Sequence, residues 1–158
     1  MDAESVSQKT VLVVDDHRPL RALCRASLEK AGFRVLEAEN GKEALASVRT
    51  ERPHAILLDI MMPGISGWEV MAALLAERST DEIPIIFISA RTEPSDRIRA
   101  YELGAQAYVT KPFDPDVLAE TVATVLGQIE RGDRDAALAE TLAALRKEQV
   151  SAGKPRPS

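Results

Sequence analysis

Five polar side chains lie just after short apolar runs. Asp15 and Asp16 follow Thr10-Val-Leu-Val-Val14, and Asp59 follows Ala55-Ile-Leu-Leu58. Ser89 follows Ile83-Pro-Ile-Ile-Phe-Ile88, and Lys111 comes at the end of the run begun by Ala107-Tyr-Val109. Carboxylates drawn together repel one another unless a cation lies between them. Hard oxygen ligands suit Mg²⁺, which keeps several waters and a phosphate oxygen in its shell. A serine hydroxyl can hydrogen-bond a phosphoryl oxygen, and a lysine ammonium can pair with its charge. Singly, each residue has a plainer reading as a helix cap, a turn serine or a solvated lysine. The case for chemistry is that all five fall at the same edge of one sheet.

That edge exists only if the runs are strands. The five strand candidates are Thr10–Val14, Phe33–Leu36, Ala55–Leu58, Ile83–Ile88 and Ala107–Val109, all short and mostly rich in Val and Ile. Helical patterns separate them. Leu20, Leu23, Cys24, Ser27 and Leu28 mark the first, with Gly32 placed to end it. Asn40 caps a second carrying Ala44, Leu45 and Val48, ended by Pro53; Trp68, Met71, Ala72 and Leu75 mark a third. Ser95 is the expected cap of a fourth, with Ile98, Tyr101 and Glu102 and a stop at Gly104. Asp114 and Pro115 open a fifth, faced by Val117, Leu118, Val122, Val125 and Leu126. Five βα units with apolar strands predict an α/β fold, a doubly wound five-stranded parallel sheet covered on both faces. Ligands then gather at the carboxyl ends of the strands, where strands one and three are neighbours across the switch point.

The bulk properties agree. Apolar residues make up 45% of the 158 and aromatics only 4%, so the core is aliphatic. The net charge is −5; the segment 128–158 has six basic and five acidic groups, leaving −6 on residues 1–127. An acidic domain offers no footprint for nucleic acid. Cys24 stands alone, so no disulfide framework forms within the chain. The polar N-terminus lacks a signal-peptide core, and no apolar run reaches the roughly 18 residues that span a bilayer. A soluble cytoplasmic protein without membrane or nucleic-acid partners is expected.

The segments VLVVDDHRPLR, LLDIMMPGISGWEV, IIFISAR and AYVTKPF occur here in order. With them the chain resembles the receiver domains of two-component response regulators, over about residues 9–128. The resemblance implies a flavodoxin-like (βα)5 fold with strand order 2-1-3-4-5. It implies a signalling switch rather than an enzyme: Asp59 accepts a phosphoryl group from a sensor histidine kinase or a histidine phosphotransfer protein. Asp15, Asp16, Asp59 and the backbone carbonyl of Met61 would hold Mg²⁺. Ser89 would be the switch hydroxyl, Lys111 a phosphoryl contact before a cis Lys111–Pro112 peptide, and Tyr108 the aromatic switch. Output would pass through the face made by helix four, strand five and helix five. Met61 and Arg91 match positions that influence phosphoryl lifetime, and neither orients an attacking water well, so slow to moderate self-dephosphorylation is expected.

Other residues are given plainer roles. His17 reads as an exposed helix start, His54 as a loop residue and Cys24 as core, while Pro63 and Gly67 shape a loop. Trp68 either packs against the domain or marks a partner surface. The division of the chain is a flexible 1–8, a receiver domain over 9–130, an amphipathic helical extension over 131–150 and a disordered 151–158. The extension carries Leu138, Leu142 and Leu145, and Gly132 favours a break before it. It either packs back on its own domain or supplies a dimer or partner contact; a homodimer through it or through the helix four–strand five–helix five face is possible. No DNA-binding output domain is expected. An aspartyl-phosphate phosphohydrolase would place its acids two residues apart after strand one, unlike Asp15-Asp16. A receiver-shaped domain that is never phosphorylated would not need the complete acid set.

Overall fold

The computed structural model describes residues 9–153. Five strands alternate with helices: β1 (Thr10–Val14), α1 (Arg18–Lys30), β2 (Arg34–Ala38), α2 (Gly41–Glu51), β3 (Ala55–Asp59), α3 (Gly67–Ala76), β4 (Ile85–Ser89), α4 (Pro94–Glu102), β5 (Ala107–Thr110), α5 (Pro115–Glu130) and α6 (Arg134–Gly153). The sheet is parallel in the order β2-β1-β3-β4-β5. Successive strand residues point to opposite faces, which splits the core in two. Val11 and Val13 meet Cys24 and Leu28 of α1 and Leu118 and Val122 of α5. Leu12 and Val14 meet Ala44 and Val48 of α2, Val70, Met71 and Leu74 of α3 and Ala100 of α4.

Local signals explain most element ends. The Asn40 side chain caps α2 by accepting from the Glu43 amide at 2.8 Å, and the Glu43 carboxylate reaches back to accept from the amide of Glu39, one residue before the cap. Asp114 caps α5 by accepting from the Asp116 amide, with Pro115 at the first helical position. Gly32, at φ +98°, follows the end of α1 as anticipated. Ser95 does not cap α4: Pro94 starts the helix two residues sooner, which puts Glu93 at the cap position, where its side chain makes no capping bond. β4 begins at Ile85 rather than Ile83, since Pro84 has no amide for the ladder.

Several faces differ from the periodicity reading. α3 buries Gly67, Val70, Met71 and Leu74, while Leu75 is exposed; a helix that is apolar nearly all round has no single stripe to read. Leu23 and Val117 are also exposed. Trp68 packs on the domain, its ring 5.0 Å from that of Phe87 with the Arg99 guanidinium 4.2 Å above it. Gly132, at φ +75°, separates α5 from α6 as expected. The extension runs through Gly153, so residues 151–153, expected to be disordered, are helical. The expected flexible residues 1–8 and the last five residues of the expected tail lie outside the described part.

Candidate functional site

The sheet register brings the site together. β1 pairs with β3 from Val11↔Ala55 to Val14↔Leu58, so Asp15 and Asp59 stand side by side just beyond the last pair. On the other side of β3, Asp59 pairs with Ile88, and Ser89 pairs with Thr110 of β5, so Ser89 and Lys111 come to the same edge. All five residues singled out by position are therefore neighbours at the carboxyl end of the sheet.

Backbone bonds fix the acidic side chains. The His17 amide donates to Asp15 Oδ1 at 2.8 Å, and the Met61 amide donates to Asp59 Oδ1 at 3.2 Å. Each is a short turn in which a carboxylate takes up the amide two residues on. Arg21, on α1, donates through Nη1 to the Asp15 carbonyl at 2.8 Å. Sequence reasoning gave Arg21 no role, and a polar-face arginine carries no signal that would have assigned one. Gly67 matters more than its expected loop role implied. A Cβ there would lie 2.3 Å from the Asp59 carbonyl oxygen and 2.7 Å from the Ile60 Cα, so only glycine lets α3 approach the end of β3.

The electrostatics are lopsided. Asp15 and Asp59 are buried and Asp16 is exposed, with one ligand atom from each within 4.8 Å of the others. Among the described residues one ammonium answers them: Lys111 Nζ lies 2.9 Å from Asp15 Oδ2 and 3.4 Å from Asp59 Oδ2. Burial works against that ammonium, yet the two carboxylates outweigh it and hold Lys111 above its ordinary value. Burial, reinforced by Asp15, pushes Asp59 up to about 6 even with Lys111 opposing. A protein-only pocket thus leaves its central carboxylate under-compensated. A hard dication fits this oxygen-only donor set.

Ser89 is fully buried, and its Oγ accepts from the Arg91 amide at 3.1 Å. The Tyr108 hydroxyl donates to the Arg91 carbonyl at 2.8 Å. Lys111–Pro112 is cis, as the resemblance implied. The Met61 side chain is exposed. His17 is the uncapped N-cap residue of α1, and His54 Nδ1 accepts from the Thr10 amide. Cys24 is buried against the core, and burial, with Asp15 adding, pushes its thiol up to about 12.

Comparison with known proteins follows the same lines. Residues 11–123 match the response regulator receiver domain. The phosphate regulon transcriptional regulatory protein PhoB of Pseudomonas aeruginosa is 42% identical over 128 residues, covering 81% of this chain and 56% of that protein. The chain thus spans a little over half of that relative's length. Protein PilH of the same organism is 37% identical over 116 residues, covering 73% of this chain and 96% of PilH. Among solved structures, Vibrio cholerae chemotaxis protein CheY4 superposes with a TM-score of 0.70 at 32% identity, over 74% of this chain and 98% of its own. A Francisella response regulator 1452 receiver domain gives 0.72 at 29%, over 77% and 98%.

Proposed function

Because the chain belongs to the response regulator receiver domain family of two-component systems, we propose that it is a phosphoacceptor switch charged on Asp59 by a sensor histidine kinase or a histidine phosphotransfer protein. The observation that carries this is the set Asp15, Asp16, Asp59 and Lys111 converging at one strand edge, with Asp59 short of countercharge. An Asp59 carboxylate oxygen attacks the phosphorus of a phosphohistidine. The new O–P bond forms as the P–N bond breaks, and the electron pair leaves on the imidazole nitrogen, which takes a proton.

The chain's own groups prepare this step. The Met61 amide orients one Asp59 oxygen and leaves the other to react. Lys111 is already placed to meet equatorial phosphoryl charge. Ser89 can turn its hydroxyl from the Arg91 amide toward a phosphoryl oxygen. Bound to Asp15, Asp16, Asp59 and the Met61 carbonyl, Mg²⁺ would supply Lewis-acid neutralisation of the transferring group. A recess of about 700 Å³, lined by Asp16, Asn40, Lys42, Pro63 and Gly64 among others, opens beside Asp16.

The protein is a switch rather than a turnover enzyme on this reading, and its cytoplasmic setting follows from the kinase partner. Among the described residues, no helix is long and apolar enough to cross a membrane. Intact mass after incubation with acetyl phosphate tests the proposal. One adduct of about 80 Da is expected with Mg²⁺ and none with EDTA. Sustained hydrolysis of a phosphate monoester with no adduct on the protein would overturn it.

A further inference from the structure

α6 lies against α4. Its Leu138, Leu142 and Leu145 pack with Ile98 and Tyr101 of α4 and with Tyr108 of β5. Ile98, Tyr101 and Leu145 are buried there, in a cluster separate from the two that line the faces of the sheet. Arg146 pairs with Glu102 at 3.0 Å and Arg97 with Glu148 at 4.0 Å, while Arg134 reaches the Glu82 carbonyl. The family match ends at residue 123, before α6 begins, so this contact is an addition to the shared fold.

One short path joins α6 to the acidic site. Ser89 accepts from the Arg91 amide, and the Arg91 carbonyl accepts from Tyr108. The Tyr108 ring is shared between the sheet-side core and the α6 leucines. We propose that α6 is a displaceable cap on the α4–β5 face, loosened when Asp59 is phosphorylated; this rests on Asp59 being the acceptor. A Ser89 hydroxyl drawn to a phosphoryl oxygen gives up the Arg91 amide and frees the segment that holds the Tyr108 hydroxyl. A shift of that ring removes one wall of the leucine contact. The hold is light enough to be biased in this way. Leu138 and Leu142 are only partly buried, the flanking ion pairs are largely exposed, and the buried Arg97 Nε has no hydrogen-bond partner. The short turn at Gly132 keeps the released helix close, so capping is restored when the phosphoryl group leaves. Until then α6 occupies the surface that a partner or a second copy would use at α4. The loosened state is the one that reacts, so a variant that populates it is phosphorylated faster.

Hydrogen exchange of the full chain, read peptide by peptide beside intact mass, tests this. With acetyl phosphate and Mg²⁺, α6 amides should exchange about tenfold faster in the wild type and no faster in Asp59→Asn. Leu142→Glu should speed α6 exchange without a phosphodonor and raise the phosphorylation rate severalfold. Arg146→Glu, which sets like charge beside Glu102, should do both more weakly and serves if Leu142→Glu loses protection in the strands. Adduct formation with unchanged or slower α6 exchange overturns the cap alone, as does an unchanged phosphorylation rate in variants whose α6 exchanges faster. Absence of any adduct overturns the Asp59 reading and the cap with it.

Discussion

Asp59 is buried next to Asp15, and its carboxyl is pushed up to about 6 from an ordinary 3.8. A raised carboxyl pKa means that the native state binds more protons than the unfolded chain between those two values. Its stabilising effect is therefore fully present below about 3.8 and lost as pH rises through about 6. Metal-free wild type should lose about 1–3 kcal/mol across that window. Asp59→Asn should not, and should be the more stable of the two at pH 7 in EDTA; denaturant titrations at pH 4, 5, 6 and 7 read the difference. Among the described residues, Lys111 is the one ammonium in contact with both buried acids. A charge-assisted contact of this kind contributes about 1.5–3 kcal/mol. Lys111→Ala should accordingly slow phosphorylation by acetyl phosphate about 10- to 100-fold while Asp59 remains the modified residue. An unaltered rate would remove Lys111 from the transferring group's environment.

The elements exist to hold these side chains at one edge, and the α3 start shows how tightly. With a Cβ at Gly67 set 2.3 Å from the Asp59 carbonyl, Gly67→Ala must push α3 away from β3. A destabilisation of about 2 kcal/mol or more, with slower phosphorylation, is expected by thermal melts and intact mass. Unchanged values for both would show that the close approach does not position Asp59. The strands were legible because TVLVV and AILL are apolar on both faces, and so were the acids that follow them. Asn40 and Asp114 announced their caps through side chains that reach an amide two or three residues on. The inner face of α3 was not legible, because WEVMAALLA offers apolar residues in every direction. Nor was the docking of α6. Ile98 and Tyr101 read as an ordinary core face of α4, whereas Ala100 faces the core and those two face α6. Helix period reports how much surface is apolar, not which neighbour covers it.

At the scale of the molecule, two apolar layers flank one sheet whose end concentrates negative charge that the protein does not balance. An ion bound only by the folded form stabilises it by mass action. Mg²⁺ at ten times its dissociation constant should add about 1.4 kcal/mol, raising the melting temperature by roughly 3–6 °C for a domain of this size. Asp15→Asn and Asp59→Asn should lose that rise; an equal rise in both would place the ion elsewhere. The most direct test of the central claim is borohydride trapping after acetyl phosphate and Mg²⁺ treatment, with peptide mapping of the product. An aspartyl phosphate is reduced to homoserine at the residue that carried it. Conversion at position 59 is predicted, lost in Asp59→Asn and in EDTA; conversion at Asp15 or Asp16 instead, or at no aspartate of a chain bearing the adduct, would contradict the account.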